Sequence, residues 1–333
     1  STWMAYRPTH QTECCAGNVH RFMPNYAARM WMKCGDDGIA STLYGPSEVS
    51  VKMPDGAVVN IVEDTGYPYS DRILFRFRSD KKTALNFYFR VPDWADDVFA
   101  KLNGRSIRAE NLKKDAFNKL EVEIDGKEVL FELVLPMKPV LKRLGRGCDA
   151  YDAVAEGYFK KKGGVEPTSV QNAEAQSKSD AGEDVVAVYV QRGPLLYAYP
   201  IPQTITEDKA IYPNMNGKMP GDTTFRCLSV EPSGPWNYAV DITQEAEPVY
   251  VPEKNVVRIP VRSIVWNLAE GRYTPEVPAP DDVVVMGNDL TYIELVPYGG
   301  TLLRLTVFPV ISRREVYSTS EYVWSEERVS SDT

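Results

Sequence analysis

Short runs in which apolar and polar residues alternate dominate this sequence after Ile39. A period of two places successive side chains on opposite faces of an extended strand, so each run predicts a strand with one buried face. Several such strands joined by turns favour antiparallel sheets packed as sandwiches. The predicted strands are Val49–Met53, Ile73–Arg78, Leu85–Val91, Leu120–Ile124, Leu130–Leu135, Val185–Val190, Leu195–Tyr199, Val249–Val251, Val256–Val261, Tyr292–Val296 and Leu302–Phe308. The sequence therefore predicts a mainly β fold with two antiparallel β-sandwich domains.

A polar stretch separates the two groups of predicted strands. Residues 146–183 are rich in small and polar side chains and include the run Lys160–Gly164. Such a composition cannot bury a core, and it is typical of a surface insertion or linker. We therefore expect one sandwich over residues 39–145 and a second over residues 184–333, with a helical segment over residues 1–38.

The helical segment has one long amphipathic pattern. From Asn18, a favourable N-cap residue, apolar residues recur at three- and four-residue spacing as far as Trp31. We expect a helix over Asn18–Lys33, kinked near Pro24 and ended by Gly35 and Gly38. Its apolar face needs other helices or a sheet to cover it.

Composition excludes some classes of partner. The formal net charge is −8 and no long basic run occurs, so we expect no nucleic-acid partner. No apolar run reaches the roughly 20 residues that span a bilayer, so we expect no membrane partner. The five cysteines form no disulfide framework, and a start at Ser1 without an initiator Met suggests a piece of a longer protein.

Two adjacent cysteines, Cys14 and Cys15, precede the predicted helix, and three interpretations apply to them. They could be small buried hydrophobic residues, a strained vicinal disulfide, or thiolates for metal binding or nucleophilic catalysis. The chemical interpretation is favoured by their position, because the N-terminus of a helix stabilises an anion. A tetrahedral zinc takes about four ligands, and the sequence around the pair supplies no CxxC partner.

The cysteine pair and a series of later motifs carry a family resemblance. The segment Thr12–Arg21 reads Thr-Glu-Cys-Cys-Ala-Gly-Asn-Val-His-Arg, and it resembles the double-cysteine motif of glycoside hydrolase family 127, the β-L-arabinofuranosidases. The resemblance continues in the same order along nearly the whole chain. It includes Tyr44–Ser47, Tyr67–Tyr69, Phe89–Ala95, Leu135–Met137, Gln191–Tyr197, Trp236–Ala239 and Leu295–Gly299.

This resemblance implies a catalytic (α/α) barrel followed by β-sandwich domains, with residues 1–38 as a short helical remnant at the end of the barrel. It also implies a retaining glycosidase whose zinc-bound Cys14 is the nucleophile and whose Cys15 is a second zinc thiolate. The other zinc ligands, a glutamate and a cysteine, and the acid/base glutamate would lie upstream of this chain. We therefore expect an arabinofuranoside or a related plant-type oligosaccharide as substrate, the upstream barrel as partner, and no hydrolysis by the chain alone.

Other residues are weaker site candidates. His10 could line the sugar site, but a hydrogen-bonded loop histidine explains it better. Glu13 is better interpreted as a local partner than as the acid/base, because a sequence neighbour of the nucleophile does not face it across the scissile bond. The aromatic residues Tyr67, Tyr69, Trp94, Trp236 and Tyr298 could stack on sugars, although packing is the more common role. The competing hypothesis is a non-catalytic sandwich that binds carbohydrate or braces a barrel, with no dependence on Cys14.

Overall fold

The computed structural model describes residues 4–6, 13–145, 185–207, 228–244, 247–266, 277–287 and 289–312. Within these residues one helix, α1, spans Glu13–Ala28. The strands in chain order are β1 Met4–Tyr6, β2 Trp31–Cys34, β3 Gly38–Ser41, β4 Ser47–Lys52, β5 Val58–Thr65, β6 Arg72–Ser79, β7 Thr83–Val91, β8 Phe99–Leu102, β9 Arg105–Ile107, β10 Ala116–Ile124, β11 Val129–Val134, β12 Pro139–Gly145, β13 Val185–Arg192, β14 Leu195–Pro200, β15 Gln203–Glu207, β16 Leu228–Pro232, β17 Tyr238–Asp241, β18 Val249–Val251, β19 Val256–Ser263, β20 Thr291–Pro297, β21 Arg304–Leu305 and β22 Phe308–Ile311. Three-residue 3₁₀ turns occur at Ala109–Asn111, Pro280–Asp282 and Tyr298–Gly300.

The chain divides into two compact units, and Arg7–Pro139 with Arg192–Leu195 form one of them. Its strands make two sheets, in the orders β10-β7-β3-β2 and β4-β5-β6-β11-β8-β9. Phenylalanine rings fill the space between the sheets: Phe75 on β6 lies 4.9 Å from Phe87 on β7, and Phe89 on β7 lies 4.7 Å from Phe131 on β11. All four rings are at most 1% exposed, and each buried ring of this size contributes about 1.5–3 kcal/mol. The two sheets and the rings between them form a β-sandwich, in agreement with the mainly β prediction.

One pairing in this sandwich departs from the antiparallel rule. Strand β3 lies parallel to β7, with Gly38 opposite Asn86 and Ser41 opposite Phe89. Strand β2 then pairs antiparallel with β3, so the residues that follow α1 form the edge of the smaller sheet. The helix is therefore tied in sequence to an edge of the sandwich.

The other unit comprises Ser1–Tyr6, Val140–Gln191 and Leu196–Thr333. Among its described residues, β1, β16 and β15 form a three-stranded sheet, and a larger sheet runs β12-β13-β22-β17-β19-β20-β14-β21 with β18 against β19. Fully buried side chains such as Val188, Ile259 and Leu295 make its interior. The predicted run Leu302–Phe308 is divided between β21, which pairs with β14, and β22, which pairs with β13 and β17. The mainly β prediction is confirmed.

The predicted bounds of the helix were wrong at both ends. The helix begins at Glu13 rather than Asn18, and it ends at Ala28 with Pro24 inside it. Residues Trp31–Cys34 form a strand instead of the last helical turn, because they pair with Gly38–Ser41 and the Trp31 ring packs against Phe75. No helix among the described residues is long and apolar enough to cross a membrane. The predicted polar insertion at residues 146–183 lies outside the described residues.

Candidate active site

The cysteine pair lies inside the first turn of α1 and not ahead of it. Cys14 and Cys15 directly follow Glu13, where the helix begins. The backbone N–H groups of a first turn have no partner within the helix, and their partial positive charge stabilises a thiolate. The pair is therefore placed where a helix favours anionic sulfur. The side chains of both cysteines, and the whole of His10, lie outside the described part of the structure.

The apolar face of α1 is exposed over its described side chains. Phe22 and Met23 are 64% and 58% exposed, and the ring of Phe22 lies 6.3 Å from that of Tyr26. Arg21 is also exposed. The prediction that this face needs a covering element is consistent with its exposure.

The C-terminal end of α1, in contrast, is held by the segment that leads into β4. The backbone N–H of Thr42 donates to the carbonyl oxygen of Met30 at 2.9 Å, and the Thr42 hydroxyl donates to the carbonyl oxygen of Arg29. The indole Nε1–H of Trp31 donates to Ser47 Oγ at 3.1 Å. The sandwich therefore holds Arg29, Met30 and Trp31, the residues that directly follow α1.

Beneath this segment lies a buried carboxylate that the sequence analysis did not identify. Glu63 on β5 is 1% exposed. Its Oε1 accepts the backbone N–H of Gly45 at 3.0 Å, and its Oε2 accepts the hydroxyl of Ser41 at 3.1 Å. Burial raises the pKa of Glu63 to about 7, whereas the Gly45 N–H and the hydroxyls of Ser41 and Ser47 lower it. The sequence signal that could have identified it is alternation: Glu63 is two residues after Ile61 and four after Val59, so it lies on the same core-facing side of the strand.

The motif that begins at Tyr44 belongs to the same region. The phenol of Tyr44 donates to the carbonyl oxygen of Arg90 and accepts its backbone N–H at 2.8 Å. The rings of Tyr44 and Tyr67 meet edge to face at 5.6 Å. Burial, followed by the nearby phenol of Tyr26, raises the pKa of Tyr67 to about 12. Tyr26 on α1 therefore lies near the same tyrosine cluster.

Two later motifs meet each other in this unit. The Arg192 guanidinium donates to Asp71 at 2.8 Å and also approaches Met137 Sδ at 3.7 Å. Gly193 has a φ of +56°, and a Cβ on it would lie 2.6 Å from Met137 Sδ. Met137, Arg192 and Gly193 thus pack together beside Asp71.

The aromatic candidates divide into buried and exposed residues. Trp236 is buried against Trp266 at 5.1 Å, and Trp94 packs against the core of the first sandwich. Tyr69 is 54% exposed, and Tyr298 is exposed with the Arg304 guanidinium 3.9 Å above its ring. Only Tyr69 and Tyr298 of these five therefore present a largely open ring.

Metal-ligating side chains do not cluster elsewhere in the described residues. No group of three or more His, Cys, Asp or Glu side chains that could hold a metal occurs among them. Cys34 on β2 is a free, partly buried thiol that contacts the carbonyl oxygen of Met32. Cys148 and Cys227 lie outside the described residues. The Cys14–Cys15 pair stays the candidate for metal binding.

The sandwich that holds α1 can now be compared with known proteins. Residues 38–137 match the family model described as Beta-L-arabinofuranosidase, GH127 middle domain. This segment, about a third of the chain, is therefore similar to the GH127 middle domain. No curated protein matches it significantly.

Solved structures show the same fold. A GH127 β-L-arabinofuranosidase from Geobacillus stearothermophilus, Ara127N-Se, is 14% identical with a TM-score of 0.53, and the match covers 92% of this chain and 39% of that one. The GH127 β-arabinofuranosidase BT3674 is 14% identical with a TM-score of 0.54, covering 92% and 40%. The chain therefore spans about two fifths of the length of these relatives. At such low identity the likeness establishes the fold alone.

Proposed function

We propose that this chain is the C-terminal portion of a GH127-like retaining glycoside hydrolase that acts on β-L-arabinofuranosides. The observation that carries the proposal is the GH127 middle-domain match over residues 38–137, directly after the helix with the cysteine pair. The solved relatives named as β-L-arabinofuranosidases support the sugar class. In this proposal Cys14 is the nucleophile that attacks the anomeric carbon, in the position that a carboxylate takes in most retaining glycosidases.

Zinc suits the donor atoms of the pair. Two thiolates are half of a tetrahedral zinc set, and Cys14 and Cys15 are the residues of this chain that would hold the metal. A bound zinc would keep both sulfurs as thiolates at neutral pH. The described residues include no further cluster to complete the set, so we propose that the upstream barrel supplies the other ligands.

The acid/base is also assigned to the upstream part of the protein. Cleavage with retention needs a second carboxyl group that faces the nucleophile across the glycosidic bond. Glu13 is adjacent to Cys14 in the same helical turn, and this position gives it no such geometry. Under this proposal the 333-residue chain alone does not hydrolyse the substrate.

The test compares the chain with the longest protein that the gene encodes, using p-nitrophenyl β-L-arabinofuranoside. We expect turnover by the long form, loss of at least about a thousandfold in Cys14→Ser, and little change in the matched control Cys34→Ser. Intact mass spectrometry should show a pentosyl adduct on Cys14 at steady state. Cobalt substituted for zinc should give a thiolate charge-transfer band that weakens in Cys14→Ser and in Cys15→Ser. Full activity of Cys14→Ser, or turnover by the chain alone, would contradict the proposal.

A second function, a non-catalytic brace, is favoured by one observation. The sandwich grips the residues that directly follow α1 through Thr42 and Ser47, and the described helix side chains of residues 21–28 are exposed. A brace of this kind predicts that Cys14→Ser in the long form retains its activity while disruption of the grip lowers its stability. The same set of variants therefore separates the two functions.

A further inference from the structure

Glu63 is an unusual residue for its place in the fold. It lies on the inward-facing row of β5 after Val59 and Ile61, both of which are fully buried. A carboxylate in an apolar interior is costly unless hydrogen bonds compensate for the lost water. The hydrogen-bond partners of Glu63 therefore decide whether the carboxylate can stay in the core.

The hydrogen bonds of the Glu63 carboxylate go to a single short segment. Ser41, Gly45 and Ser47 lie within seven consecutive residues, between the end of β3 and the start of β4. Ser47 is also the residue opposite Glu63 in the β4–β5 register. The carboxylate thus holds the backbone of residues 41–47 in one conformation through these hydrogen bonds.

The same segment holds the end of the helix. Thr42 caps the carbonyl oxygens of Arg29 and Met30, and Ser47 accepts the indole N–H of Trp31. A methyl group on Gly45 would lie 3.0 Å from Met30 Cε, so the Met30 side chain also packs closely on this segment. Displacement of residues 41–47 would therefore displace the C-terminal end of α1.

Because the cysteines lie at the far end of α1, a small tilt at the end held by residues 41–47 moves them by a larger distance. About fourteen residues at 1.5 Å each separate Cys14 from the end of α1, a distance of roughly 20 Å. A tilt of about 5° at the held end moves the first turn by about 2 Å, which is more than a metal or nucleophile site tolerates. The direction of the helix axis therefore determines the positions of both thiols.

We propose that Glu63 is a positioning residue for the Cys14–Cys15 pair: through residues 41–47 it fixes the C-terminal end of α1 and hence the direction of the helix. The catalytic part of this inference rests on the proposed function. The mechanical part, from Glu63 to the helix, does not depend on it.

The proposal has a pH signature. Because the Glu63 carboxyl has a pKa of about 7, its charge changes near neutrality, and residues 41–47 experience that change. The phenol of Tyr44 interacts with the charge of Glu63, and Tyr67 and Arg90 act in turn on Tyr44. The facing residue on β6 is the uncharged Phe75. Since both phenols have a raised pKa, neither titrates near neutrality.

The first experiment follows the indole N–H of Trp31 by ¹⁵N NMR in the full chain, with the signal assigned by its loss in Trp31→Phe. We expect this signal to titrate with a midpoint near pH 7 in the wild-type chain and to stay constant in Glu63→Gln. Glu48→Gln, on the exposed face of the neighbouring strand, is the control and should titrate like the wild type. An indole signal that does not titrate in the wild type, or that titrates equally in Glu63→Gln, overturns the coupling.

The second experiment measures hydrogen exchange of the α1 amides. Glu63→Ala should accelerate exchange in α1 by about tenfold or more while β6 and β7 stay protected, and Glu63→Gln should restore most of the protection. Acceleration spread over the whole sandwich would show a purely structural role and overturn the proposal. If Glu63→Ala fails to fold, Ser41→Ala, which removes one bond to the carboxylate, replaces it.

The third experiment separates this inference from the proposed function. In the longest protein that the gene encodes, Glu63→Ala should lower kcat by at least about tenfold with little change in KM, because the nucleophile is displaced and the sugar contacts are retained. If the Glu63 variants change neither the Trp31 indole titration nor the hydrogen exchange of α1, the inference is overturned whatever their activity. Helix effects combined with an active Cys14→Ser protein overturn the proposed function and leave the mechanical part standing.

Discussion

The guanidinium of Arg192 lies 2.8 Å from the carboxylate of Asp71, although the two residues are 121 positions apart. Arg192 is almost fully buried, whereas the Asp71 side chain is 35% exposed. Asp71 also accepts the backbone N–H of Met137, and its carbonyl oxygen accepts that of Leu135. Asp71 thus joins the motif around Arg192 to the motif around Met137.

Asp71→Asn should destabilise the protein by about 3 kcal/mol, because it removes the negative charge that faces a buried cation. Urea denaturation at neutral pH measures this change. The matched control is Asp125→Asn, which breaks the exposed pair with Lys82 at 3.2 Å and should leave the midpoint nearly unchanged. Equal effects of the two variants would show that burial does not strengthen the Arg192 pair.

Gly193→Ala should destabilise the protein by about 2 kcal/mol or more, because an alanine there combines a positive φ with a clash against Met137 Sδ. Gly126→Ala isolates the backbone contribution, since Gly126 has a φ of +70° and no atom within 4 Å of the added methyl group. That control should cost about 1 kcal/mol. The clash is refuted if the two variants unfold at the same urea concentration.

Phe75→Ala should lower the free energy of unfolding by about 4 kcal/mol, since it leaves a cavity between the two sheets of the first sandwich. Phe75 is fully buried and contacts rings from both layers. Phe99→Ala, at a ring that is 60% exposed, is the size-matched control and should change stability little. Thermal melts followed by near-ultraviolet circular dichroism compare the two.

Stability should also depend on pH through Glu63. The folded state holds this proton more tightly than the unfolded chain, since the pKa rises from 4.5 to about 7, so the stabilisation is complete below about pH 4.5 and is lost as the pH rises through 7. Relative to Glu63→Gln, the wild type should gain about 2–3 kcal/mol between pH 8 and pH 5. Urea titrations of both proteins across that range measure the difference, and a constant difference would place the Glu63 pKa outside the window.

The alternation rule predicted most of the strands because it reports a physical constraint: one face of each strand is buried and the other is wet. Ile73–Arg78 and Leu85–Val91 lie within β6 and β7, whose alternate side chains fill the aromatic core. The rule gave no assignment for β5, although Val59 and Ile61 alternate correctly. Glu63 interrupts that apolar row, and only the strand register shows that a carboxyl group points inward.

The helix bounds depended on contacts that the sequence does not display. Met30 and Trp31 fit the apolar stripe of a helix equally well, and short apolar runs do not distinguish helix from strand. The pairing of Trp31 with Ser41 and the indole bond to Ser47 determine the outcome. Likewise, Asn18 is a favourable N-cap residue by propensity, yet the helix passes through it from Glu13.

Synthesis of the protein imposes an order on these contacts. Gly38–Ser41 pairs in parallel with residues 86–89, so β3 cannot join its sheet until roughly fifty more residues have left the ribosome, a delay of several seconds. The cysteine-bearing helix is thus synthesised well before β7, and the β2–β3 pair that follows it gains its place in the sheet only when β7 is available.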